Sequence, residues 1–286
     1  MGALGRGFLL AVLAAAWSTG SAQTGPAQAF RYFVTTDGVR LHYLEQGAGD
    51  TLIFVPGWLM PAEIWRRQID HFAPRYRVIA FDPRSQGDSQ LAKTGNGIKR
   101  RAEDLHELIE QVQPNRVVLV GWSLGVLESL LYIHTRGDGK VAALVLVDNS
   151  VGEVPGQEGG TVLPDRRGER ALEMADFVNA IFKTQQPPDY LAWLTNQALR
   201  TPPAASASLL AIPYPRAFWR SAVHATRKPL LYVVTPSLKR QADTLQRKRK
   251  GTTTEVFAKA GHALFVAEPD HFNATLQAFL DKVPKG

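Results

Sequence analysis

The chain has 286 residues, 45% hydrophobic and 21% charged, the proportions of a soluble globular protein with room for one substantial domain and an inserted subdomain. It contains no cysteine, which excludes disulfides and lipidation at a lipobox. The formal net charge is +7, which favours adsorption to anionic surfaces.

Residues 1–23, MGALGRGFLLAVLAAAWSTGSAQ, carry a basic Arg6, an apolar run from Phe8 to Trp17 and then small residues. This is the pattern of a secretory signal peptide over residues 1–22, cleaved after Ala22 or Ala29. An uncleaved anchor is the alternative, but a spanning helix needs about 20 apolar residues, roughly twice what the run offers. The expectation is therefore an exported protein, periplasmic or secreted, with no stable membrane insertion. Losing the leader removes only Arg6, so the mature chain stays basic.

Residues 30–47 alternate apolar and polar positions around Asp37-Gly38, which predicts a β-hairpin. Short apolar runs at 51–55, 76–81, 116–120, 141–147, 230–234 and 254–258 predict buried strands. Helical patterns occupy 61–73, 99–113, 124–136, 237–250 and 268–282. Near-continuous apolar strands alternating with amphipathic helices predict an α/β fold, a mostly parallel central sheet with helices on both faces. This core is expected over 30–150 and 228–286.

From Val151 to Arg227 no strand pattern occurs. A Gly-rich stretch, VGEVPGQEGG, precedes helical segments that include RALEMADFVNAIFKTQ and PPDYLAWLTNQALR. The interval 151–227 reads either as a helical cap or lid inserted over a pocket or as an irregular peripheral region. The basic run KRQADTLQRKRK at 239–250 reads as a solvated helix ending at Gly251. No aromatic residue interleaves with its charges and no nucleic-acid motif accompanies it, so nucleic-acid binding is not expected.

Residues 121–125 read Gly-Trp-Ser-Leu-Gly, with a buried strand running in and an amphipathic helix leading out. A serine on so tight a turn is forced into a strained conformation that exposes its hydroxyl, and the flanking glycines let strand and helix pass without a Cβ clash. With this motif in its context, the chain resembles the α/β-hydrolase superfamily over nearly all of residues 30–286. Three further segments are similar to that family's: FVPGWLM (54–60), where a His-Gly segment usually follows a strand; FDPRSQGDS (81–89), with Ser85 in place of the first glycine of the Asp-x-Arg-Gly-x-Gly-x-Ser loop; and AGHALFVAEPDHF (260–272), the segment carrying the catalytic histidine.

The resemblance implies an α/β-hydrolase fold with a helical cap and a set of functional residues. Ser123 is the nucleophile and His262 the base that takes its proton. The oxyanion donors are the backbone N–H groups of Leu124 and Trp58, which Pro56 in place of the usual histidine does not remove. Asp82 and Arg84 are loop scaffold. Trp122 and Trp58 either line the acyl pocket or are core aromatics.

In most of the superfamily the acid that orients the histidine follows the strand that here reads LLYVVTPS, yet no carboxylate appears there until Asp243. Some members place it after the preceding strand, which here ends in Asp148. Asp148 is therefore the candidate acid, with Asp243 or no acid at all as the alternatives. His271 is the nearest rival to His262 but sits inside a helical pattern. No histidine pair has H-x-x-x-H spacing, so no metal is expected, and no cofactor is implied.

The resulting expectation is a serine hydrolase acting on a small-molecule carboxylic ester through an acyl-enzyme. A serine at 123 disfavours dehalogenase and epoxide-hydrolase chemistry, which needs a carboxylate there. A C–C bond hydrolase, an amidase or lactonase, a cofactor-free perhydrolase and a non-catalytic binding protein of the same fold remain as alternatives.

Overall fold

The computed structural model describes residues 28–156 and 169–284. The expected leader and the end of the Gly-rich stretch lie outside the described residues. Strands β3 (Thr51–Val55), β5 (Val117–Trp122) and β7 (Leu230–Val234) are buried at every position, and β6 (Val141–Val147) at all but one. Such strands are covered on both faces, which is why they read as unbroken apolar runs. With β1 (Ala29–Val34), β2 (Arg40–Gln46), β4 (Arg77–Asp82) and β8 (Thr252–Val256) they form one sheet in the order β1-β2-β4-β3-β5-β6-β7-β8. The pairings β1–β2 and β2–β4 are antiparallel and the rest parallel. This is the α/β-hydrolase fold.

Ten α-helices occur among the described residues: α1 (Arg66–Phe72), α2 (Ile98–Val112), α3 (Leu124–Arg136), α4 (Arg170–Ala180), α5 (Pro188–Arg200), α6 (Pro203–Leu210), α7 (Arg216–Ala225), α8 (Lys239–Lys248), α9 (Leu264–Ala267) and α10 (Pro269–Leu280). The helix expected at 61–73 is split into a 3-10 turn, Ala62–Trp65, and α1. The pattern at 268–282 becomes α10, with Pro269 in its first turn, and the short α9 precedes it outside the expected range. Strand β8 starts two residues before the expected 254, because Leu230 pairs with Thr252 immediately after the Gly251 turn. No described helix is long and apolar enough to cross a membrane.

Between β6 and β7 the described chain is purely helical, α4 to α7. Helices α5, α6 and α7 each begin with proline at or just before the first turn, the position where a missing N–H costs nothing. Strands β3 and β5 are neighbours, but the chain leaves β3 for β4 on one side and β5 for β6 on the other. Ligands of open α/β sheets collect in the crevice outside the strand ends where the order reverses in this way.

Candidate active site

Three carboxyl-terminal strand ends and one loop converge at that crevice. Ser123 follows β5 and opens α3 with φ 55° and ψ −120°, a conformation ordinary L-residues avoid. Its N–H donates to the Val147 carbonyl at 2.9 Å, tying the turn to the end of β6. Gly125 makes the turn possible: a Cβ there would lie 2.4 Å from the Val55 carbonyl oxygen.

His262, on the loop between β8 and α9, approaches Ser123 Oγ through Nε2 at 2.8 Å and Asp148 Oδ2 through Nδ1 at 2.7 Å. A carboxylate only accepts, so the Nδ1–H donates to Asp148 and the Nε2 lone pair faces the Ser123 hydroxyl. Asp148, directly after β6, is buried and has φ 48°, a left-handed conformation that Asp and Asn tolerate better than most residues. Its Oδ1 accepts the Thr235 N–H at 2.7 Å and the Thr235 hydroxyl at 2.8 Å.

Thr235 stands right after β7, the segment where the superfamily resemblance puts the acid. Here that residue is a double donor to a carboxylate on the neighbouring strand, and sequence reasoning passed over it. A hydroxyl at a strand end carries no signal until its partner is known. Asp243, the other candidate acid, lies on α8 and pairs with Lys239 at 2.6 Å. His271 stacks on Phe257 with ring centroids 4.1 Å apart.

The next residue braces the same turn. Asn149 Nδ2–H donates to the Ser123 carbonyl at 2.7 Å, and the Tyr232 hydroxyl donates to the Asn149 carbonyl at 2.7 Å. Burial, with the negative charges of Asp148 and Glu153, pushes the Tyr232 phenol well above its ordinary range, so it stays a donor.

The main-chain N–H groups of Trp58 and Leu124 donate to no acceptor among the described residues, and both residues border the same cavity as Ser123. That cavity, of about 540 Å³, is also lined by Leu210, Ile212, Tyr214 and Trp219 from the region of α6 and α7. The Trp58 side chain lines it too, its indole N–H donating to the Ser206 carbonyl at 3.0 Å and its ring meeting Phe177 edge-on.

Trp122 corrects one of the two readings offered for it. The side chain does not border the cavity: it is buried, and its indole N–H donates to the His262 carbonyl at 2.9 Å. A buried indole needs an acceptor, and the one available commits the ring to backing the histidine loop. The helical segment backs that loop as well, through a hydrogen bond of 2.9 Å from the Ala263 N–H to the Ile181 carbonyl.

Asp82 and Arg84 do scaffold work. Asp82 accepts from the Ala62 N–H at 2.5 Å, the His42 Nδ1–H at 2.6 Å and the Asp88 N–H at 3.0 Å. Arg84, buried, reaches Asp104 at 2.6 Å and Asp37 at 2.9 Å. Among the described residues only His42, Asp82 and Asp88 bring three possible metal-ligand atoms within 4.8 Å of one another. Asp82 is already spent on those three donors and Asp88 pairs with Arg200 at 2.9 Å.

Comparison with known proteins adds a lineage to this geometry. Residues 52–275 match the alpha/beta hydrolase family. The chain is similar to the non-heme chloroperoxidase CPO-A1 of Kitasatospora aureofaciens, 32% identical over 114 residues, a match covering 40% of this chain and 42% of that protein. The matched stretch thus spans less than half the length of that relative. Among solved structures, a putative aryl esterase from Burkholderia cenocepacia superposes with a TM-score of 0.76 at 24% identity, over 89% of this chain and 99% of that one. A bromoperoxidase from Bacillus anthracis does so with a TM-score of 0.76 at 20% identity, over 90% of this chain and 100% of that one.

Proposed function

The chain belongs to the alpha/beta hydrolase family, and on that premise we propose that it is an exported serine hydrolase cleaving carboxylic esters of small molecules. The observation that carries the proposal is the hydrogen-bonded series of Ser123, His262 and Asp148, at 2.8 and 2.7 Å, opening on a cavity with two main-chain donors that have no acceptor among the described residues.

In this reading the Ser123 oxygen attacks the ester carbonyl as its proton passes to His262 Nε2. Asp148 stabilises the imidazolium that results. The carbonyl oxygen, now negatively charged, receives hydrogen bonds from Leu124 N–H and Trp58 N–H. The ester C–O bond breaks, and the alcohol leaves with the proton from His262. Water, deprotonated by the same imidazole, attacks the acyl-serine and releases the acid. The segment α4 to α7 serves as the cap, and its wall of Leu210, Ile212, Tyr214 and Trp219 selects the acyl or alcohol group.

Export rests on residues 1–22. Of the two junctions, cleavage after Ala22 leaves β1 whole, whereas cleavage after Ala29 removes a residue paired with Glu45. A second reading, perhydrolysis, is favoured by the similarity to a chloroperoxidase: hydrogen peroxide in place of water would take the acyl group as a peracid.

Labelling with a fluorophosphonate probe tests the proposal. The wild type is expected to label and Ser123→Ala is not, with release of p-nitrophenol from short-chain p-nitrophenyl esters lost in parallel. A folded wild type that stays unlabelled where a control esterase reacts refutes the proposal.

A further inference from the structure

The two donors of the oxyanion site come from different parts of the chain: Leu124 from the first turn of α3, Trp58 from the loop after β3. Oxyanion stabilisation depends on both N–H groups converging on one point, so their separation must be held by something. Neither belongs to a shared element of secondary structure. Leu59, next to Trp58, has φ 62°, a left-handed conformation that leucine does not adopt unaided.

Gln86 occupies the gap under that loop. Its side chain is fully buried, and its carboxamide meets the main chain on both sides of Trp58. The Nε2 amino group donates to the Gly57 carbonyl at 3.1 Å and to the Met60 carbonyl at 2.9 Å, while Oε1 accepts the Leu59 N–H at 3.2 Å. One side chain thus satisfies residues 57, 59 and 60. It leaves the Trp58 N–H without an acceptor among the described residues, beside the cavity that Ser123 also borders.

The carboxamide is itself held. Arg101 of α2 donates through Nη1 to Gln86 Oε1 at 2.7 Å, so the oxygen and amino ends cannot exchange places. Arg101 in turn forms an ion pair through Nε with Glu128 Oε1 at 2.6 Å, both side chains being fully buried. Glu128 lies on α3, one helical turn beyond Leu124. The series runs from the helix that presents one donor to the loop that presents the other.

We propose that the buried series Glu128, Arg101, Gln86 is a brace that fixes the separation and direction of the Leu124 and Trp58 N–H groups, making these three residues positioning residues for oxyanion stabilisation. The inference rests on the serine-hydrolase reading above. A brace of this kind touches no substrate, so its removal lowers turnover and leaves ground-state binding alone.

The test compares wild type, Gln86→Leu and the double variant Arg101→Met/Glu128→Leu. Apolar replacement of both members of a buried ion pair is often neutral or stabilising, so the double variant keeps its fold where a single one leaves a buried charge unpaired. Active sites are titrated with a fluorophosphonate, and kcat, KM and the inhibition constant of an alkylboronic acid are measured. The boronic acid forms a tetrahedral adduct on serine that draws on the same two donors. In Gln86→Leu we expect kcat per titrated site to fall about 10- to 100-fold, with KM within about twofold and the boronic-acid constant rising in step with the loss.

The double variant is expected to show the same split at about tenfold, since it loosens Gln86 without removing it. A general structural role would lower the number of titratable sites or the melting temperature and leave kcat per site intact. Turnover per site within about twofold of wild type in Gln86→Leu, or a loss confined to KM, overturns the brace. If Gln86→Leu fails to fold, the double variant decides between the same two outcomes. A wild type that never labels refutes the serine-hydrolase reading and the brace with it, whereas a labelled wild type beside a fully active Gln86→Leu refutes the brace alone.

Discussion

Replacing Asp148 by Asn alters one atom where the neighbouring donors dictate what that atom must do. Thr235 presents its N–H at 2.7 Å and its hydroxyl at 2.8 Å to Oδ1, so in the variant the amide oxygen has to occupy that side. The amide NH2 then falls where Oδ2 stood, 2.7 Å from His262 Nδ1. An NH2 group only donates, so Nδ1 must become the acceptor and the imidazole proton moves to Nε2. Nε2 faces Ser123 Oγ at 2.8 Å and would no longer have a lone pair to take the hydroxyl proton.

The left-handed backbone at position 148, φ 48°, suits Asn as well as Asp, so the fold is expected to survive. The corresponding loss in serine proteases, where the histidine is trapped in the wrong tautomer, is about 10⁴-fold in kcat. At about 1.36 kcal/mol per decade this is about 5.4 kcal/mol of transition-state stabilisation. Steady-state hydrolysis of a p-nitrophenyl ester, normalised to folded protein by circular dichroism, reads it directly. Turnover within about tenfold of wild type in a folded Asp148→Asn variant would show that the carboxylate neither orients nor charges the histidine.

Gly125→Ala places a Cβ 2.4 Å from the Val55 carbonyl and 2.9 Å from that of Pro56, both main chain; a loss of about 1–3 kcal/mol with collapse of turnover is expected, and an unchanged urea midpoint would contradict it. The hydrogen bond from Arg84 holds the Asp37 carboxyl well below its ordinary value of 3.8, so this group stabilises the fold above about pH 4 and loses its effect as pH falls further. The wild type should therefore lose stability on acidification more steeply than Asp37→Asn, and parallel melting curves from about pH 3 to about pH 6 would speak against it. Trp219→Ala deletes part of the cavity wall and is expected to raise the kcat/KM ratio of a long over a short p-nitrophenyl ester roughly tenfold; an unaltered ratio would move specificity to another wall.

The strands and their alternation with helices were legible because burial on two faces leaves a one-dimensional trace: unbroken apolar runs between amphipathic helices. Boundaries were less so. The residues of β8 read as 254–258 by hydrophobicity, but pairing with β7 pulls the strand back to Thr252, and threonine at 252 to 254 carries too weak an apolar signal to announce it. Helices α6 and α7 begin at prolines after short connections, so their patterns are brief and easily taken for loop.

At the site, Ser123 and His262 stand in local motifs, because a sharp strand-to-helix turn and a loop between strand and helix each impose a residue pattern on a handful of neighbours. The choice among Asp148, Asp243 and no acid was open in the sequence, since it depends on which strand end lies beside the histidine loop. Tertiary structure brings Asp148 to 2.7 Å from the imidazole and leaves Asp243 on the outside of α8 with Lys239.

What the amino-acid order determined alone is the alternation of strand and helix and the strained turn at Ser123, since both follow from contacts a few residues apart. What only the folded chain decided is which side chains answer one another across the crevice: Thr235 donating to Asp148 from the next strand, Trp122 turned to the back of His262, and Gln86 filling the underside of the loop that carries Trp58. Those partners are separated by between 26 and 140 positions. A hydrogen bond between them has no local signature, because its geometry exists only once the sheet has set the distance between strand ends.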